Sequence, residues 1–229
     1  MNKFSLIGKG SKRIDTTAKA TGEALFSGDL TLPRMLCGKV LRSPHPHARI
    51  VSIDTSKAEA LSGVKAVVTA RDTCGDKWGV FRYTQDHQFL PVDKVRYVGE
   101  EVAAVAAIDE DTALEALNLI DVTYDVLPAV FTIDDAMRAG APVIHDEHKD
   151  NINIHVNITV GDIEKGFAES AMVREDTFSA PEDSYFQGEP YAVTAQFDHS
   201  GNLEIWMPNA GPHLKAKPLS NALKIPLNK

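Results

Sequence analysis

Val102-Ala103-Ala104-Val105-Ala106-Ala107-Ile108, the longest apolar run in the chain, opens the segment from which the fold can be read. Periodicity alone does not separate a buried strand from a buried helix segment in such a run. Its brevity, and the turn-rich Gly99-Glu100-Glu101 before it, favour a strand. Asp109, or Thr112 with Glu115 three residues later, can cap the helix that follows. In that helix Ala113, Ala116, Leu117 and Ile120 share one face at i, i+3, i+4 and i+7. Val122, Tyr124 and Val126 then alternate with Asp121, Thr123 and Asp125, the pattern of a half-buried strand. The expected unit is strand, helix, strand, in a fold of the α/β (α+β) class.

Towards the N-terminus, 38–42 and 49–54 read as further short strands, as does 64–69, which is β-branched and apolar. A short helix over 56–61 stops before Gly63. Residues 1–20 mix Gly, Lys, Ser and Thr without periodicity and read as an extended arm. Towards the C-terminus, Gly140-Ala141-Pro142 breaks the pattern, and 136–150 reads as a linker with a polar end. Asp162 can cap a short helix carrying Ile163 and Phe167, and Met172 to Phe178 is strand-like. Runs 192–197 and 202–207 flank Asp198-His199-Ser200-Gly201, a hairpin signal with glycine at the left-handed position. A final helix carries Leu214, Leu219, Ala222 and Leu223, with Pro218 expected in its first turn. One hairpin and one helix cannot bury both of their faces. Residues from about 151 onward are therefore expected to be part of a larger domain.

The chain of 229 residues is long enough for one large or two small domains. At 43% hydrophobic and 24% charged it has ordinary globular composition. A formal charge of −8 argues against a nucleic-acid partner. The charge is uneven: residues 1–50 hold nine Lys/Arg against three acids, and residues 101–150 hold twelve acids against two bases. The expectation is a solvated acidic face rather than a partner surface. No apolar run is long enough to span a bilayer, no signal-like stretch opens the chain, and Cys37 and Cys74 have no paired spacing. A cytoplasmic protein without membrane contact is expected.

Chemistry-bearing motifs are sparse. His45-Pro46-His47 has no third ligand beside it and reads as a structural loop whose imidazoles bond to backbone. His145, Asp146, Glu147, His148 and Asp150 form a polar cluster that reads as a solvated connection, so no metal site is assigned. Glu182 and Glu189 flank the aromatic Tyr185-Phe186, and a buried, backbone-bonded Glu is the commoner meaning of such a setting than a perturbed acid or base.

Several of these residues nevertheless fall in a known order. Arg13, Asp15, Lys19, Gly22, Phe26 and Asp29 resemble the opening of molybdopterin-dependent hydroxylase large subunits. Ser43-Pro44-His45-Pro46-His47-Ala48-Arg49-Ile50 is similar to that family's "SPHAHARI" segment, and 93–105 to its "KVRYVGEPVAAV" segment. Tyr124-Asp125-Val126-Leu127-Pro128-Ala129 resembles the end of the same domain. Gly188-Glu189-Pro190 and Gly211-Pro212-His213 resemble the "x-E-P" and "Q-G-P-H" segments of the next.

The resemblance implies an α/β-hammerhead domain over 21–135, followed over 151–229 by the first part of a molybdopterin-binding domain of the xanthine dehydrogenase and aldehyde oxidase superfamily. Within it, 102–129 looks most like the 4-hydroxybenzoyl-CoA reductase large subunit. Also implied is a molybdenum cofactor shared with a missing lobe, and iron–sulfur and flavin (FAD) partner subunits. The substrate would be a small aromatic, heterocyclic or acyl-CoA compound. The family's glycine-rich cofactor loop, substrate carboxylate and catalytic glutamate fall beyond Lys229, so no catalytic residue is assigned. Asn209, Ala210 and Gly211 are the cofactor-side candidates and Glu189 the substrate-side candidate. Ala210 stands where the family has a glutamine near the molybdenum oxo group, so that contact is missing or Asn209 substitutes for it. Tyr185 stands where relatives often have histidine. The alternative reading is a non-catalytic hammerhead interaction or assembly module.

Overall fold

The computed structural model describes residues 4, 7–73, 75, 77–79, 81–181 and 188–229. The strands are β1 (Cys37–Arg42), β2 (Ala48–Asp54), β3 (Val64–Val68), β4 (Lys77–Trp78), β5 (His87–Gln88), β6 (Lys94–Val95), β7 (Glu101–Ala107), β8 (Asp121–Val126), β9 (Thr194–Phe197) and β10 (Leu203–Trp206). The α-helices are α1 (Thr16–Thr21), α2 (Ser56–Ala60), α3 (Glu110–Leu119), α4 (Ile133–Met137), α5 (Ile163–Glu169) and α6 (Pro212–Leu223).

The apolar run is a strand, as its brevity indicates, with Val102 to Ala107 in β7 and Ile108 just past its end. β7 lies at the centre of a three-stranded antiparallel sheet of order β1-β7-β3, with Cys37 opposite Ala107 and Leu41 opposite Ala103. A second antiparallel sheet has the order β6-β2-β8. The unit β7-α3-β8 therefore does not close a parallel crossover, because its two strands enter different sheets. Asp109 caps α3, its Oδ1 accepting the Thr112 N–H at 2.8 Å.

Alanine lets α3 approach closely. Ala113 and Ala116 of α3 and Ala58 of α2 are fully buried against Ala103, Val105 and Ala107. Small side chains at the contact allow the shorter spacings between packed elements. A second cluster joins Ala48, Val95 and Val102, with Ile50, Ile53, Val122 and Tyr124 packed on it. Burying valines such as Val102 and Val105 stabilises by about 1.5–3 kcal/mol each. Gly63 takes φ +98°, and a Cβ there would meet Ile108 and Thr112 at 3.1 Å, so this turn requires glycine.

Two compact units make up the chain. The larger comprises 34–182 with 213–227; the smaller comprises 1–33 with 183–212 and 228–229. In the smaller, β9 and β10 pair as the expected hairpin, Phe197 opposite Leu203. Asp198 Oδ1 accepts N–H bonds from Ser200 and Asn202, and Gly201 takes φ +76°.

Four expectations are corrected. The arm is not extended throughout: α1 forms because Lys19 Nζ pairs with Asp15 one turn earlier at 2.7 Å and Gly22 ends it in the left-handed region. Residues 1–3, 5 and 6 of the arm lie outside the described residues. Met172 to Phe178 is not a strand, since among the described residues no neighbour pairs with its backbone. Pro218 is the seventh residue of α6, not in its first turn; Pro212 opens the helix, and Pro218 withholds the N–H that the Leu214 carbonyl needs.

The fourth correction concerns the linker, which is tied down rather than freely solvated. α4 runs into it, and Asn151 closes it from the far end at φ +55°. Asn151 Oδ1 accepts the Ile144 N–H at 3.0 Å, and Nδ2 donates to the carbonyls of Ala136 and Pro142 at 2.9 Å. Buried Lys94 reaches in from β6 to Asp146 at 3.0 Å and to the Val143 carbonyl at 3.3 Å.

Candidate functional site

Three of the quoted motif segments meet in the larger unit, and their polar residues hold it together there. Ser43 donates its N–H to the Glu100 carbonyl at 2.9 Å, and its own carbonyl accepts the Gly99 N–H at 2.8 Å. Its Oγ also accepts the His45 N–H at 3.0 Å. His47 is 3% exposed, with Nδ1 2.6 Å from the Pro128 carbonyl oxygen, so that nitrogen carries the proton and donates. Leu127 donates its N–H back to the His47 carbonyl at 2.9 Å. The His45 ring instead meets Tyr124 edge-on at 5.0 Å. The two imidazoles thus serve different structural partners, and the expected bond to backbone is made by His47.

Glu100 is buried, and burial pushes its carboxyl above the usual range, although the Arg96 N–H opposes this by donating to Oε2 at 2.5 Å. In the polar cluster, Lys94 beside Asp146 holds that carboxyl below its ordinary value. Lys77 pairs with Glu147 and brings it down to about 2. Burial lowers His145, and nearby Arg96 adds to the effect. Among the described residues no group of three or more His, Cys, Asp or Glu side chains is arranged to hold a metal ion.

The candidate binding residues lie in the smaller unit. Glu189 is half-buried, and its Oε1 accepts the Ser27 N–H at 3.2 Å. Ser27 begins a single 3₁₀ turn held by Asp29, whose Oδ2 accepts the Phe26 N–H at 2.9 Å. Phe26 and Asp29 of the opening motif are thereby explained: they shape the turn that fixes the Glu189 carboxylate. Leu25, Phe26, Ser27 and Leu30 form one side of a cleft of about 420 Å³, with Glu189, Ile205, Trp206 and Met207 forming the rest. The wall is largely apolar with one oriented carboxylate, the usual make-up of a small-molecule pocket.

Two residues past Met207, Asn209 Oδ1 accepts the Gly211 N–H at 2.8 Å. This bond orients the carboxamide and leaves its Nδ2 donors unengaged among the described residues. Ala210 contributes only a methyl group. No hydrogen bond joins Glu189 to 209–211 among the described residues. Glu182 and Tyr185 lie outside the described residues. Ser27, Trp206, Lys94 and Asn151 carry no functional signal in the sequence; for Asn151 the one hint is the preference of Asn for the left-handed region.

Known proteins share the fold. Residues 21–128 match the aldehyde oxidase and xanthine dehydrogenase a/b hammerhead domain, and residues 144–229 match the molybdopterin cofactor-binding domain. The fold and its two matched segments define part of a molybdopterin large subunit. The "Nicotinate dehydrogenase large molybdopterin subunit" of Eubacterium barkeri is 34% identical over 227 residues, 99% of this chain and 52% of its own length. A probable xanthine dehydrogenase subunit of Bacillus subtilis (strain 168) is 39% identical over 203 residues, 88% of this chain and 27% of its own. The aldehyde oxidoreductase structure from Desulfovibrio gigas superposes with a TM-score of 0.84 at 25% identity, covering 94% of this chain and 25% of that one. The chain belongs to the xanthine dehydrogenase and aldehyde oxidase family, and spans about half the length of the first of these relatives and about a quarter of the second. No helix among the described residues is long and apolar enough to cross a membrane.

Proposed function

We propose that this chain is the hammerhead-bearing part of a molybdenum hydroxylase-type oxidoreductase and supplies one wall of its active site. The names of its relatives, which include nicotinate and xanthine enzymes, favour a small aromatic or heterocyclic substrate; an acyl-CoA substrate rests only on the resemblance of 102–129. The rest of the molybdopterin lobe, an iron–sulfur subunit and a flavin subunit are the proposed partners. A cytoplasmic site of action goes with this reading.

The observation that carries it is the Asn209–Gly211 turn inside the molybdopterin-domain match. Its donor set fits an oxygen-rich cofactor: a fixed carboxamide with free N–H groups, and no carboxylate in the turn itself. When bound, the molybdenum cofactor exchanges two electrons with the substrate. Asn209 Nδ2 would hold an oxygen of that group by donation, and the bond from Gly211 sets the direction of the carboxamide in advance. The Ala210 methyl keeps the turn small and competes for no proton. Glu189, anchored by the Ser27 N–H, leaves Oε2 to accept an N–H or O–H from a ring lodged in the apolar cleft.

Asn209→Ala in the assembled enzyme tests the reading. Losing one preorganised donor slows turnover by about 10²–10³, with molybdenum content unchanged. Wild-type turnover in that variant refutes the assignment of Asn209.

A further inference from the structure

The larger unit also carries a cleft of about 310 Å³, away from the residues assigned to cofactor or substrate above. Three segments build it: β2, the turn after β3, and the Pro91–Val92 stretch before β6. In β2 the register slips, with Ile50 opposite Tyr124 and Ser52 opposite Thr123, so Val51 is an extra residue. A bulge of this kind re-aims side chains, and Val51 and Ser52 are both exposed. Ile50 donates its N–H to the Asp93 carbonyl at 2.8 Å, tying β2 to the Pro91–Val92 stretch. Gln88 holds that stretch in turn: its Oε1 accepts the Val92 N–H at 3.2 Å, and its Nε2 donates to the Gly75 carbonyl at 3.0 Å. After β3, Asp72 Oδ2 accepts the Thr69 N–H at 2.8 Å and Thr69 Oγ1 accepts the Arg71 N–H at 3.3 Å. Thr69 is 8% exposed and Pro91 is fully buried, whereas Val51 and Val92 are 64 and 54% exposed. The cleft thus has a fixed floor and an open apolar rim.

Its walls offer one cation, one hydroxyl and an apolar surface. The Arg71 guanidinium lines the cleft, is exposed, and pairs with no carboxylate among the described residues. The acids nearest to these segments in sequence are engaged elsewhere: Asp72 by Thr69, Asp54 by the Ser56 N–H at 3.0 Å, and Asp93 by Arg96 at 3.4 Å. The Ser52 hydroxyl has no partner among the described residues either. A guanidinium fork matches a carboxylate through two parallel N–H bonds. Phosphate is the poorer fit, because no second Lys or Arg and no helix N-terminus lines the cleft among the described residues. The volume lies at the lower end for small-molecule sites, so it suits a single ring rather than a nucleotide.

We propose that this cleft binds a small monocarboxylate with an apolar body, of the size of an aromatic acid. The Arg71 guanidinium takes the carboxylate, the Ser52 hydroxyl donates to it, and the ring lies against Val51, Pro91 and Val92. One cation at the rim balances one negative charge, and the apolar rim gains by covering a hydrocarbon face. The site goes beyond the redox reading and does not depend on it, since every residue that builds it belongs to β2, the turn after β3 and the Pro91–Val92 stretch.

The test titrates the full chain with benzoate and follows the amide chemical shifts. Saturable shifts are expected at Val51, Ser52, Arg71 and Val92, with a Kd of about 1 mM, the range for a ligand this small. Benzamide, the same ring without the charge, should bind about tenfold more weakly, and so should acetate, the same charge without the ring. Arg71→Ala is expected to weaken benzoate by about tenfold or more, the loss of a charge-assisted hydrogen bond. Val92→Asp should do the same by setting a second carboxylate against that of the ligand. Both positions are exposed, so unchanged circular dichroism checks that the fold survives. The absence of saturable shifts at these four amides overturns the proposal. So does benzamide binding as tightly as benzoate, or wild-type affinity in Arg71→Ala. Shifts confined to Ser27, Glu189 and Trp206 assign benzoate to the cleft of the smaller unit; they overturn this site and leave the proposed function standing.

Discussion

Replacing Asn151 separates two contributions that the structure places on one residue. Its side chain makes three hydrogen bonds, to Ile144, Ala136 and Pro142, and its backbone sits at φ +55°. A net hydrogen bond is worth about 0.5–1.5 kcal/mol, and these are only part-buried, so water recovers some of each loss; the three together come to about 2 kcal/mol. An alanine in the left-handed region costs about 1 kcal/mol more. Asn151→Ala is therefore expected to destabilise the 136–151 loop by about 3 kcal/mol, which is about a hundredfold in its opening equilibrium. Asn151→Gly loses the same bonds without the backbone strain and should fall about 1 kcal/mol short of that. Asn151→Asp keeps the bond from Ile144 but turns both donations into oxygen–oxygen contacts, so it should be at least as harmful as Asn151→Gly. Hydrogen exchange of the Ile144 amide in the full chain reads all three. Exchange within twofold of wild type in both the Ala and Gly variants refutes the idea that this side chain organises the loop. Equal effects in those two variants refute the backbone part alone.

Ala116→Leu adds bulk where α3 meets β7 and is expected to cost about 1–3 kcal/mol in urea unfolding. Asn118→Leu, at an exposed position of the same helix, should have little effect and serves as the control; equal losses in the two variants refute the packing argument. Glu100→Gln keeps an oxygen for the Arg96 N–H and removes a charge that burial disfavours. Because burial raises this carboxyl in the folded chain, its stabilising contribution is full below the unfolded carboxyl's range and is lost as pH rises through the folded value. The variant should therefore be more stable than wild type near neutral pH and lose that advantage towards acid. An advantage that is constant across pH refutes the burial argument.

Local pattern makes much of the hammerhead legible. The seven-residue apolar run, the Asp109 cap and the alternation over 121–126 each encode their own element, because strand and helix periodicity are properties of neighbouring residues. The hairpin at 198–201 is equally plain, since its turn needs Asp and Gly at particular places.

Which of these elements meet is settled by packing alone. Nothing in the alternation over 121–126 says that β8 joins β2 rather than β7, because pairing depends on surfaces that are distant in sequence. The role of Ser27 as the anchor of Glu189, 162 residues away, has no local correlate. Neither does the burial of Lys94, whose ammonium is tolerated only because Asp146 and the Val143 carbonyl arrive from another segment. A linker that is merely polar in sequence becomes an ordered loop for the same reason. A polar side chain in sequence is a set of donors and acceptors without partners, and only folding brings those partners within reach.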